Sequence, residues 1–211
     1  MNNIETHPLK PFLPSNGRIL FLGSFPPPKA RWSMEFFYPN WINDFWRIMG
    51  LIHYDDKAYF EDKNKEKAFD KERIISFARQ QGLAFYDTAA KVRRLRGNAS
   101  DEFLEIVEPT DIAALLREMP QCTNIVTTGG KASEELQAQL SIAVTEHTGT
   151  PTTCPQPKIG EYTELYAYDR PLRWWRMPSS SRAYPLKIEK KAAYYSQLFL
   201  PIFLPIVSSH P

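Results

Sequence analysis

Cysteine is scarce in this sequence. Of 211 residues only Cys122 and Cys154 are cysteines. They lie far apart and form no Cys-x-x-Cys pair, so a structural zinc site or an iron–sulfur cluster lacks its ligands. Both are expected to be reduced thiols. Histidine is nearly as rare: His7, His53, His147 and His210 show no metal-ligand spacing. With no His-x-Glu followed by a cysteine pair, a zinc deaminase is excluded. No metal and no cofactor is expected. Long apolar runs are missing too, and none approaches the length that spans a bilayer. Residues 1–14 carry acid and proline where a secretory leader has basic residues and then an apolar stretch, so a soluble, cytoplasmic protein is expected. The net charge of +2 is too small to announce a polyanionic partner, because such a partner responds to the local field rather than the total.

What is present suits one domain covering residues 1–211, with 43% hydrophobic and 24% charged residues, enough to bury a substantial core without disulfide or metal staples. A monomer is expected. Charge is unevenly placed. Between residues 170 and 191 stand Arg170, Arg173, Arg176, Arg182, Lys187, Lys190 and Lys191, opposed by Glu189; Lys91, Arg93, Arg94 and Arg96 form a second basic cluster. Acids gather around residues 55–72. On charge alone, solvated faces and phosphate-binding faces are equally admissible.

Residues 18–22 (RILFL) form an apolar run ended by Gly23 and three prolines, which reads as a strand feeding a rigid loop. From Asn40, Trp41, Phe45, Ile48 and Met49 recur at helical spacing, with Asn40 as a candidate cap and Gly50 as a stop signal. A second helix is predicted over 68–81, a strand over 83–86, and a third helix over 112–118 capped by Thr110 or Asp111. Residues 124–128 (NIVTT) read as a buried strand, followed by a helix from Lys131 to about Leu140. A strand over 172–177 (LRWWRM) stops at Pro178, and a closing helix covers 187–199. Strands alternating with helices imply an α/β fold, a three-layer α/β/α sandwich around a mostly parallel sheet. Ligands of such sheets sit at the carboxyl ends of the strands, which singles out the loops starting at Gly23, Asp87, Gly129 and Pro178.

These loops carry motifs: Gly23-Ser24-Phe25-Pro26 after a strand; Tyr38-Pro39-Asn40-Trp41-Ile42-Asn43-Asp44-Phe45-Trp46; Gly82-Leu83-Ala84-Phe85-Tyr86-Asp87 with Arg96-Gly97-Asn98-Ala99-Ser100-Asp101 downstream; Gly129-Gly130-Lys131-Ala132; and Met177-Pro178-Ser179-Ser180-Ser181-Arg182-Ala183. In order and spacing they resemble the uracil-DNA glycosylase superfamily, especially its mismatch-specific and hypoxanthine-DNA glycosylase branches. The most specific piece is the aromatic followed by Asn-x-Phe-Trp. The resemblance implies hydrolysis of the bond between a damaged base and its deoxyribose, with DNA bearing a damaged or mismatched base as partner.

A base inside a duplex must be flipped into a pocket that stacks and hydrogen-bonds it. Gly23, Ser24, Phe25 and Tyr38 are the candidate base-binding residues, with Phe25 as stacking platform and Phe36 and Trp46 assigned to the core. Cleavage passes through a sugar cation, which calls for a group that orients water and for donors to the departing base. Much of the superfamily has Asp or Asn in the first loop for this, where Phe25 stands here. The hypoxanthine branch implies Asn43 instead. Asp87 is a second contact to the base or a cap of the next turn. Met177 stands where several branches have His, so the leaving base needs another donor. Ser179, Ser180, Ser181, Arg182 and Lys131 are the candidate DNA contacts. Lys29 and Lys131 are expected to be solvated, and the family hydrolyses with water, which disfavours a Schiff-base lyase. Two rivals remain: a catalytically silent nucleic-acid-binding module of the same fold, and an enzyme acting on a free nucleoside. The latter is favoured if the basic 170–191 stretch proves buried or dispersed.

Overall fold

The central strands are apolar on both faces, and that pattern sets the architecture. The computed structural model describes residues 4–95 and 103–200, so the 96–101 stretch singled out above lies outside the described residues. In β2 (Ile19–Gly23), Ile19 and Phe21 join one core cluster while Leu20 and Leu22 join another. β3 (Leu83–Asp87) sends Leu83 and Phe85 to the first and Ala84 to the second. β6 (Asn124–Thr128) divides Val126 from Ile125, and β8 (Arg170–Met177) divides Trp175 and Met177 from Leu172 and Trp174. Strands buried on both faces form a parallel sheet covered by helices. The sheet order is β3-β2-β6-β8-β7, the first four parallel and β7 (Tyr162–Ala167) an antiparallel edge.

Helices α1 (Phe45–Tyr54), α2 (Lys71–Gln81) and α5 (Ile188–Phe199) cover the first face; α3 (Ile112–Arg117) and α4 (Gly130–Thr148) cover the second. This is the expected three-layer α/β/α fold. Phe36 and Trp46 are buried in the first cluster, as their assignment to the core anticipates. Among the described residues, no helix is long and apolar enough to cross a membrane.

A feature absent from the sequence reading is a second, antiparallel sheet of β1 (Ile4–Thr6), β4 (Ala89–Arg94) and β5 (Leu104–Pro109), in the order β1-β4-β5. It closes over a small cluster of Phe25, Ala89, Val92 and Leu104. The basic cluster of residues 91–94 is strand β4 itself. Its Lys91 pairs with Glu108 (2.6 Å), Arg93 with Glu105 (2.7 Å) and Arg94 with Glu5 (3.0 Å), so acids of the flanking strands neutralise it.

Helix α4 runs on to Thr148, past its expected end near Leu140, and three other boundaries differ from expectation for local reasons. Helix α1 begins at Phe45 rather than near Asn40, whose Oδ1 instead accepts from the Ile42 amide within the preceding turn (3.1 Å). Gly50 lies inside α1 and does not stop it. A Cβ there would run into the Asp56 carbonyl, so the glycine serves the chain's close return, and the helix ends at Asp55 with φ 52°. Helix α2 starts at Lys71 because Asp70 caps it, accepting from the Arg73 amide (3.0 Å).

Gly82 ends α2 at φ 65°, and a Cβ there would lie 2.6 Å from the Asn16 carbonyl oxygen. Left-handed backbone and backbone collision both penalise a side chain. Gly82→Ala is therefore expected to lower the unfolding free energy by about 1–3 kcal/mol, read as a lower urea midpoint at unchanged slope. An unchanged midpoint would contradict this account of the turn.

Candidate active site at the carboxyl ends of the strands

The strand registers bring the loop origins to one level. Gly23 pairs with Asp87, Leu22 with Thr127, and Thr128 with Met177. Side chains alternate along a strand, so Asp87 follows Leu83 and Phe85 onto the face covered by α1. A cleft of about 710 Å³ opens there, a volume typical of small-ligand sites. Ten of the eleven candidate residues line it: Gly23, Ser24, Phe25, Tyr38, Asn43, Asp87, Ser179, Ser180, Ser181 and Arg182. Lys131 does not; it lies in the first turn of α4, outside the lining.

Asp87 is buried, and its Oδ2 lies 2.8 Å from His7 Nε2. Its other oxygen, Oδ1, crowds Gly23 so closely that a Cβ there would sit 2.5 Å from it. Glycine at position 23 is thus the space in which the carboxylate lies. The sequence carries no signal for His7: it is a solitary histidine eighty positions from its partner, and no local motif encodes that contact.

Phe25 lines the cleft but is only 9% exposed. Its ring meets His7 edge-on (centroids 5.2 Å apart) and the Arg94 guanidinium lies 5.5 Å from its centroid. Tyr38 stacks on Phe45 at 3.8 Å and shares a hydrogen bond with Thr128 Oγ1 (3.0 Å). Its backbone has φ 52°. Burial pushes the Tyr38 phenol well above the usual tyrosine range; the Thr128 bond opposes this, and the Asp87 charge adds to it. Tyr38 is a neutral hydroxyl at any physiological pH.

Asn43 sits just before α1, and its Oδ1 accepts from the Phe45 amide (2.9 Å). It does so because Asp44, the formal cap residue, makes no capping bond with its side chain. Asp44 is buried and instead holds Arg182 Nε (2.8 Å) and lies 3.5 Å from Lys191 Nζ. Lys191 also donates to the Ser181 carbonyl (2.7 Å), and the Asp44 amide donates to the Ser180 carbonyl (2.9 Å). This ion cluster ties the loop after β8 to the start of α1 and fixes Asn43 beside the serines. Asp44 and Lys191 were both missed as site-building residues. Lys191 was legible only as part of a charge run.

That charge run is not a basic face. Lys191 is 1% exposed and Arg173 6%. Arg173 pairs with Glu164 on β7 (2.9 Å), and Arg170 donates to the Met119 and Cys122 carbonyls. Lys187 and Lys190 are exposed, while Arg182 keeps 47% of its side chain exposed beside the cleft. Arg31, from the 3-10 turn Lys29–Arg31, also lines the cleft and is exposed.

No protein-family model and no curated protein matches the chain. Among solved structures it is similar to the solution NMR structure of a "putative Uracil DNA glycosylase" from Methanosarcina acetivorans. The TM-score is 0.58 at 19% identity, covering 95% of this chain and 99% of that one. The likeness shows a shared fold over nearly the whole length of both chains.

Lys191→Met removes one cation from buried Asp44 and the donor to Ser181. Breaking a buried ion pair costs about 3–5 kcal/mol, so the unfolding free energy should fall by about that much. Amides of residues 180–183 should also exchange faster with deuterium. Unchanged stability and exchange would show that the cluster does not hold this loop.

Proposed function

We propose that the protein is a monofunctional DNA glycosylase that hydrolyses the N-glycosidic bond of a deaminated or damaged base, uracil, hypoxanthine or a related lesion, flipped out of DNA. The observation that carries this reading is the convergence of Asp87, Asn43, Tyr38 and the Ser179–Arg182 loop on one cleft at the strand ends. The neighbour's fold agrees with it at a coarse level.

In this reading the flipped base enters between Ser24, Phe25 and Tyr38. The neutral Tyr38 hydroxyl offers a hydrogen bond without a charge penalty. Ser179 Oγ accepts from the Ser181 amide (3.2 Å) and Ser181 Oγ from the Ala183 amide (3.2 Å). Both hydroxyl protons therefore stay available for phosphate oxygens, with Arg182 beside them. The glycosidic bond breaks with its electron pair leaving on the base, water adds to the anomeric carbon, and the proton that the water loses is taken up by the departed base. An acceptor must orient that water and a donor must meet the base. Asp87 Oδ1, the oxygen not facing His7, suits the water. Asn43 has its oxygen committed to Phe45, so its Nδ2 suits donation to the base or to the same water. Such groups are each worth about a hundredfold to ten-thousandfold in rate.

A second reading, an enzyme for free nucleosides, is favoured by one observation: much of the 170–191 basic stretch is internally paired. The catalytically silent module is the outcome if DNA binds without excision.

The test is a panel of labelled duplexes carrying uracil, hypoxanthine, xanthine or a mismatch, cleaved with alkali after incubation, beside the matching free nucleosides. Strand breaks at one lesion are expected, with Asn43→Ala and Asp87→Asn each slowing single-turnover excision by about a hundredfold or more in protein that a thermal melt shows to be folded at the assay temperature. Nucleoside hydrolysis without strand breaks would favour the second reading. Full activity in both variants would remove these residues from the chemistry. DNA affinity should fall steeply as salt rises, because neutralised phosphates release counterions, and Arg182→Ala should weaken it; indifference to both would contradict DNA as the partner.

A further inference from the structure

We infer that His7 is the positioning residue for Asp87, delivered to the cleft by the N-terminal arm rather than by any of the strand-end loops. The inference rests on the glycosylase reading of the cleft and goes beyond it by naming the group that orients the carboxylate.

The His7 side chain is 1% exposed and its Nε2 lies 2.8 Å from Asp87 Oδ2. The His7 amide bonds to the Ala90 carbonyl (2.8 Å), which docks the arm on β4 immediately after β1. The opposite ring nitrogen, Nδ1, lies 2.8 Å from the Leu9 carbonyl oxygen and 3.1 Å from the Leu9 amide. A cationic ring donates to the Leu9 carbonyl and to Asp87. A neutral ring with its proton on Nε2 donates to Asp87 and accepts from the Leu9 amide. In these two states Asp87 receives an N–H bond on Oδ2, and Oδ1 lies beside Gly23.

The ring's orientation is locked by packing against Phe25 (5.2 Å), Tyr86 (4.4 Å) and Phe37 (6.2 Å). His7 touches both Phe25 and Asp87, the two groups that the glycosylase reading sets against substrate. It is not among the residues lining the cleft, so it acts through them.

A misdirected catalytic group costs about a hundredfold in rate. His7→Ala should lower single-turnover excision by about 10- to 100-fold with DNA affinity within about twofold, and His7→Gln, which keeps an N–H donor, should recover most of the loss. In an Asp87→Asn background His7→Ala should add almost nothing, because residues acting as one unit are not additive. Full additivity, an effect on affinity alone, or no effect in a folded variant would overturn the inference while leaving the glycosylase reading intact.

If the wild-type protein excises nothing, the glycosylase reading fails and binding decides the matter. Duplexes carrying a cationic pyrrolidine in place of the sugar should bind at least about tenfold tighter than neutral tetrahydrofuran ones, since an oriented carboxylate favours a cation. His7→Ala and Asp87→Asn should each abolish that preference. A preference that is absent, or that survives His7→Ala, would overturn the inference.

Discussion

The register of four parallel strands is the constraint on which the rest depends. Because β2, β3, β6 and β8 are buried on both faces, slipping one of them by a residue would exchange its two sets of side chains and disrupt both cores. The register so fixed places Gly23 beside Asp87 and Thr128 beside Met177. At Gly23 the sheet has no side chain, and the Asp87 carboxylate occupies that space. The site's central acid is thus located by packing several residues away from it.

The loop after β8 is tied to the start of α1 by charge, while the loop after β2 buries Phe25, Phe36 and Phe37 in apolar clusters. Asp44 gathers Arg182 and Lys191, and Lys191 reaches back to the Ser181 carbonyl. A buried carboxylate with two cations and backbone partners is satisfied, whereas one stripped of a partner is not. This arrangement explains why Asn43 caps α1 in place of Asp44. It also explains why part of a basic sequence stretch never reaches the surface. On the other side of the cleft Asp87 is held by His7 (2.8 Å), so that oriented polar groups converge there before any ligand arrives.

The legible part of the fold was the part with strong local signals. Apolar runs closed by Gly23, Gly82 or Pro178 read directly as β2, α2 and β8, and Asp111 caps α3 by accepting from the Ala114 amide (2.8 Å). Strands β1, β4, β5 and β7 were missed because half-exposed strands alternate charged and apolar residues, and Lys91, Arg93 and Arg94 read as a charge cluster instead. Most of the candidate site was legible because Gly23, Asp87 and the serines sit next to strand ends in the sequence, and Tyr38 and Asn43 belong to one short motif before α1. His7 and Lys191 were not, since their roles arise from contacts across the fold. A linear run of cations likewise gives no hint that Arg173 faces Glu164 on the neighbouring strand.

The central claim is that the cleft at the strand ends receives a flipped nucleotide of DNA. Hydrogen–deuterium exchange tests it directly, using a duplex whose lesion nucleotide carries a 2′-fluorine and so resists cleavage. Amides of residues 23–25, 38–44 and 179–183 are expected to slow on binding, and to slow more with the lesion duplex than with an undamaged one of the same sequence. Protection confined to another surface, or equal for both duplexes, would contradict the account.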